Sequence, residues 1–324
     1  IKSIGLSDSY NLCGALEFSE KISKVGTQPI IGTQININLG DVFGKVSLYA
    51  TSETGYKNLT KLSSISYLKN DGTTEPSCNL EDLLENSEDL ILLTGNYKNF
   101  FGKLFYKNKL KDFEQILNSL KSSFKGRLYI EIQRHDELQE KNFENYLLNI
   151  SKSLLLPIIA TQEIFYLNEN MYEAHDALVC IGEKNFVDDK NRFRYSNQHY
   201  LKSQEELEKL YSDIPEALEN NYNFHLRFNF KPKKSKPILP SIANKESSSP
   251  EEELLKLAKK GLENRLANFI LKKNKNKSKE KIIEIYEDRL NHEINIINSM
   301  DYASYFIIVS DYIKWAKKNS IPVG

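Results

Sequence analysis

An excess of either charge is missing: 44 basic residues meet 44 acidic ones across 324 residues. No global field therefore draws the chain to nucleic acid or to a membrane, and any DNA contact has to come from a local patch. Cysteine is scarce. Cys13, Cys78 and Cys180 lie far apart with no C-x-x-C spacing, which excludes a zinc ribbon or a disulfide framework and fits the buried, reduced thiols of a cytosol. No apolar run approaches the roughly 20 residues that a bilayer span needs. Histidine is thin too: His135, His175, His199, His225 and His292 form no H-x-H or H-x-x-x-H pair. There is no Walker A motif, no GxGxxG and no G-x-S-x-G elbow. An initiating methionine is also absent, and the two ends, IKSIGLSDSYNLCG and IPVG, read as cut from something longer, so a fragment is expected.

What is present is a repeated plan. Leu154 to Ile159 is a short continuous apolar run closed by Ala160 and Thr161, the pattern of a strand buried on both faces. Similar runs occupy Ile1 to Leu6 (weakly), Val46 to Ala50, Leu90 to Leu93 and Leu128 to Ile132. Helix-period segments lie between them, at Lys57 to Leu68, Leu104 to Leu120 and Phe143 to Leu154. Strands alternating with amphipathic helices predict an α/β fold of parallel β-α-β units, and the pattern alone does not choose between a barrel and a wound sheet. In either, ligands gather at the C-terminal ends of the strands, where Gln162, Glu163 and Phe165 stand.

Ser203 and Glu206 form a capping-box signature for a helix over Gln204 to Tyr211. The texture then changes. Lys231 to Pro250 carries four prolines, basic residues and a serine run, the composition of a linker. Beyond it the chain reads as helical: Ser249-Pro250-Glu251-Glu252 opens one helix, Ile283 to Ile297 marks the core stripe of a second, and Tyr302 to Lys318 forms a third. Tyr305, Phe306 and Trp315 recur there among aliphatic neighbours, which predicts core anchors rather than base-stacking residues.

Metal-assisted phosphoester hydrolysis needs several His, Asp and Glu side chains converging at strand ends, and the supply is small. His135 follows the strand Leu128 to Ile132 and is the best placed, as a ligand or as a hydrogen-bonded histidine. Asp8 after the first strand and Glu163 are further candidates, although an Asp in a strand-to-helix turn also serves as a cap. His175 sits on a predicted helix and reads as structural. The lysines 272, 273, 275, 277, 279 and 281 could meet phosphates or simply form a solvated loop.

Several segments in order, among them SDSYNLCGALEF (Ser7 to Phe18), QPIIGTQ (Gln28 to Gln34), ATQEIFYL (Ala160 to Leu167), AHDALVCI (Ala174 to Ile181) and SYFIIVSDYIKWAKKNSIPVG (Ser304 to Gly324), resemble the alpha-subunit family of bacterial DNA polymerase III, the C-family replicative polymerases. The resemblance runs over nearly the whole chain. It implies a distorted β/α barrel of PHP (polymerase and histidinol phosphatase) type over residues 1–230, a linker over 231–249 and the helical start of the polymerase palm over 250–324.

For the PHP metal site, the family's first H-x-H would lie upstream of Ile1. Its Asp-His pair falls on Asp8-Ser9, its G-x-E glutamate on Gln34, and the histidine before VSLYA on Lys45. The histidine after LYIEI is retained as His135, and the final Asp-x-His is Glu163-x-Phe165. A lysine where a cation should sit and a phenylalanine where an imidazole should sit argue against metal, so no ion is expected in this pocket. No catalytic residue is expected either, since the family's paired aspartates, which hold magnesium for nucleotidyl transfer, would lie beyond Gly324. The resemblance further implies a cytoplasmic DNA-directed DNA polymerase as the parent, with primer-template DNA and dNTPs as its substrates. It implies a proofreading exonuclease subunit docked on the PHP domain, and sliding-clamp and clamp-loader contacts further along. The alternative is a stand-alone PHP-type phosphoesterase, which would need the missing ligands and leaves the helical segment unexplained.

Overall fold

The computed structural model describes residues 2–70, 72, 74–235, 249–274 and 278–324. It divides into two units, Ile1–Lys234 and Ser235–Gly324. Most of the 231–249 linker expected from composition lies outside the described residues, as do Lys275 and Lys277.

The first unit is built on a curled sheet of β1 (Ser3–Ser9), β2 (Gln28–Leu39), β3 (Val42–Ala50), β5 (Leu90–Leu93), β6 (Leu128–Gln133) and β7 (Ile158–Thr161), paired in that order. The two-residue strand β4 (Ser77–Cys78) joins β2 beyond the point where its pairing with β1 ends. Among the described residues β7 and β1 do not pair, so the barrel is an open, distorted one. Helices α1 (Ala15–Lys24), α2 (Glu53–Leu68), α3 (Leu80–Glu85), α4 (Phe100–Tyr106), α5 (Leu110–Phe124) and α6 (Glu140–Leu154) fill the connections. They are followed by α7 (Tyr172–Glu183), α8 (Gln204–Leu210) and α9 (Pro215–Phe224). The capping box at the start of α8 is formed by Ser203 and Glu206, as their spacing predicts.

Strand alternation sorts the sheet into two faces. Leu48, Leu92, Ile130 and Ile158 point outward into the main core, against Leu59, Phe101, Phe113 and Phe143 of the helices. Ile30, Ile91, Tyr129 and Ile159 point inward and are closed from below by Phe224 and Phe228. One step further toward the strand ends, the inward positions turn polar: Ser9, Gln34, Lys45, Glu131, Gln133 and Thr161.

Three expectations are corrected. The strands are not all parallel: β3 runs antiparallel to both β2 and β5. Its reversal comes from a two-residue hairpin at Gly40-Asp41, with Gly40 at φ 60° in the first central position, where glycine tolerates the left-handed region. The apolar run from Leu154 is only half strand, because Leu154 ends α6 and Leu155 (φ 51°) is the left-handed residue that caps it. The segment Leu104 to Leu120 is two helices, α4 and α5, broken where Asn108 takes φ 57°.

The second unit contains α10 (Pro250–Arg265), which runs through a π-helical turn at Leu266–Ile270 into α11 (Leu271–Lys273), then α12 (Lys279–Ser299) and α13 (Ala303–Lys318). Ser249 caps α10 by accepting from the Glu252 amide, with Pro250 in the first turn. Its small core is Leu254, Ile294, Ala303 and Ile307. Here the aromatic residues of α13 depart from expectation: Trp315, Tyr305 and Phe306 are 61%, 48% and 43% exposed. The core takes only the stripe carrying Ala303 and Ile307, and a helix apolar all round leaves its other side uncovered.

Two measurements follow from this packing. A Cβ on Gly32 would overlap the Leu48 carbonyl oxygen and the Tyr49 ring, so Gly32→Ala should cost about 1–3 kcal/mol, read as a lower urea midpoint at unchanged slope. In the second unit, Ile307→Ala should cost about 2–4 kcal/mol, whereas Trp315→Ala should stay within about 0.5 kcal/mol.

Candidate functional site

The polar ends of the inward-facing strands divide into three groups. In the first, the Lys45 ammonium donates to Ser9 Oγ at 2.9 Å, and Ser9 in turn donates to Gln34 Oε1 at 3.3 Å. Lys45 also lies 5.1 Å from the centre of the Tyr10 ring. The Tyr10 hydroxyl donates to Glu75 at 2.6 Å, and Asn36 donates to both. That hydrogen bond holds the Glu75 carboxyl below its ordinary range. Asp8 does not join this group. One residue before Ser9, it faces outward, with Oδ2 directed at the start of α1 near Gly14, and its carbonyl accepts from Thr33.

The second group surrounds Glu131, a carboxylate 3% exposed in the middle of β6. It accepts from the Gly95 amide at 2.9 Å, from Gln133 Nε2 at 2.9 Å and from the Thr161 hydroxyl. Burial pushes its carboxyl above the usual range in spite of these donors. The sequence reading missed Glu131. The available signal was an acidic residue at an inward position of LYIEI, where a strand buried on both faces should be apolar throughout.

The third group gathers around His135, which is 1% exposed. Its backbone N–H donates to both oxygens of Glu140 at 2.9 and 2.8 Å, and its Nδ1 lies 3.3 Å from Glu140 Oε1. Its Nε2 accepts the N–H of Glu163 at 3.2 Å. His199 lies parallel to it, ring centres 4.1 Å apart at 4°. The Nδ1 of His199 is 3.0 Å from the Glu163 carbonyl oxygen, which can only accept, so this nitrogen carries the proton. Phe165 continues the stack, 4.9 Å from His199 and 5.0 Å from His175. Glu163 thus serves the site through its peptide, and Phe165 through its ring face.

Beside this stack, Glu137 accepts from Lys98 at 2.6 Å and from the Tyr97 hydroxyl. His199 Nε2, which has no hydrogen-bond partner, lies 4.0 Å away. Burial pulls the Glu137 carboxyl upward, yet the donors around it, Lys98 and Tyr97 among them, bring it down to about 2. Lys98, Glu137 and His199 were not singled out in sequence, because contacts between residues some 40 to 100 positions apart leave no spacing signal.

A catalytic metal needs several unprotonated donors with free lone pairs around one point. Lys45 offers a charge of the wrong sign, Phe165 offers no donor, and the Nε2 lone pair of His135 is already spent on a backbone amide. No three His, Cys, Asp or Glu residues converge as a possible metal site among the described residues. The donor set does not fit the metal centre that the resemblance implies.

Comparison with known families finds two matches: residues 1–135 match the PHP domain family, and residues 252–324 match the bacterial DNA polymerase III alpha NTPase domain family. Over 99% of its length the chain is similar to DNA polymerase III subunit alpha of several bacteria. The subunit of Rickettsia bellii is 39% identical over 99% of this chain and 28% of that protein. That of Caulobacter vibrioides is 37% identical over 99% and 28%, and that of Escherichia coli K12 is 32% identical over 99% and 28%. The chain therefore spans a little over a quarter of the length of these relatives. A solved structure from Bifidobacterium adolescentis, described as a metal-dependent phosphoesterase, aligns at TM-score 0.36 and 10% identity over 50% of this chain and 77% of its own, a likeness too slight to carry any inference.

Glu137 sets a pH dependence whose sign is fixed. A carboxyl lowered from about 4.3 unfolded to about 2 folded contributes stability above pH 4.3 that is lost as pH falls toward 2. Denaturant melts should show Glu137→Gln less stable than the parent at pH 7 and the two converging near pH 2. A constant gap across that range would remove this assignment.

Proposed function

We propose that this chain is the PHP-bearing portion of the catalytic subunit of a cytoplasmic replicative DNA polymerase. Its parent extends a primer 3′ end on a DNA template with dNTPs, using magnesium held by residues outside this chain. The observation that carries the reading is homology to polymerase alpha subunits along 99% of the chain, across both units. No described helix is long and apolar enough to cross a membrane.

Within that parent, the PHP domain works as a scaffold and not as a second active site. Support comes from its strand ends, where an ammonium, a phenyl ring and a histidine already hydrogen-bonded at Nε2 stand at the positions a metal centre would use. The proofreading exonuclease subunit docks on this domain, while the sliding clamp and clamp loader engage the parent elsewhere. The stand-alone phosphoesterase reading is disfavoured by the same three positions.

Elemental analysis of the purified chain after incubation with zinc or manganese should find only substoichiometric metal, with no hydrolysis of a generic phosphoester. Stoichiometric metal, or a turnover abolished by His135→Ala, would restore the phosphoesterase reading.

A further inference from the structure

We infer that residues 184–202 form a strap that seals the strand-end opening near His135, with Lys98 as its latch. After α7 the chain doubles back with no helix or regular strand of its own and is tied down at intervals. Arg192 forks onto both carboxylate oxygens of Asp176, fixing the middle of the strap to α7. At the far end, Phe165 N–H donates to the His199 carbonyl at 3.0 Å and Leu201 N–H to the Tyr166 carbonyl at 3.1 Å, while the His199 ring lies on His135.

Between these ties the strap meets the loop from β5 to α4 through one side chain. The Lys98 ammonium lies 5.3 Å from the ring centres of Tyr97, Phe193 and Tyr195, and 2.6 Å from Glu137 Oε1. A cation enclosed by three ring faces and a carboxylate is attracted to all four. Two of those rings belong to the strap, and Lys98 comes from a loop remote in sequence, so this contact closes the strap onto the sheet. The tip's side chains face solvent, Phe186 and Val187 being 78% and 51% exposed, and among the described residues its Val187 carbonyl accepts only from Arg192 and Arg194 within the strap itself. Segments with few buried contacts open locally at a small fraction of the global unfolding free energy.

The consequence is that solvent and small phosphoesters are kept from His135 by cover, a barrier separate from the loss of metal ligands. The two ideas fail separately, one by metal analysis and the other by exchange.

The test is amide hydrogen exchange on the whole chain and on its Lys98→Met and Phe193→Ala variants. Both variants should exchange about tenfold faster or more across residues 186–199, with β5 and β6 unchanged. Tryptic cleavage after Lys190 or Arg194 should come earlier in both. An unchanged strap in either variant, or acceleration spread equally through β5 and β6, overturns the proposal.

Discussion

The backbone of one residue, Glu163, organises the strand-end region. The N–H of Glu163 is given to His135 and its carbonyl is taken by His199, so two imidazoles are held face to face by a backbone that cannot change its chemistry. Each ring's tautomer is set by that backbone, and the Nε2 lone pair of His135 is consumed. The Phe165 ring, two residues on, then stacks against His199. A site that could have been cross-linked by an ion is cross-linked by hydrogen bonds and ring contacts.

The same economy runs through the rest of the opening. Lys45 places a fixed positive charge between Ser9 and the Tyr10 ring, while Glu131 and Glu137 are each surrounded by donors. Buried charges persist only where partners offset their desolvation, and these networks supply such partners. Glu131 is the least compensated, its carboxyl pushed up by burial.

Sequence made the buried strands β5 and β6 readable, because short apolar runs between amphipathic helices have few other interpretations. It did not reveal the direction of β3, since apolar periodicity is blind to polarity and the deciding feature is one glycine at a hairpin tip. It placed His135 correctly at the end of β6 but selected Asp8 over Ser9, a choice that turns on which of two adjacent residues faces inward. It misjudged α13 for a related reason. Spacing identifies an apolar stripe, but when apolar residues ring the helix, only tertiary packing says which stripe is covered.

The reversed strand has an evolutionary implication. Because β3 runs against its neighbours, Lys45 reaches the opening from the beginning of its strand, a few residues after the Gly40-Asp41 turn, and not from a loop at a strand's end. Residues delivered by loops can drift as loops lengthen or shorten, but a residue delivered by a two-residue turn is bound to strand register. A residue inserted at that turn would be taken up by a longer hairpin loop, because sliding β3 by one position instead would exchange its faces, burying polar side chains and expelling Val46 and Leu48 from the core. The charge at this position is thus insulated from length variation in the turn and can change only by substitution.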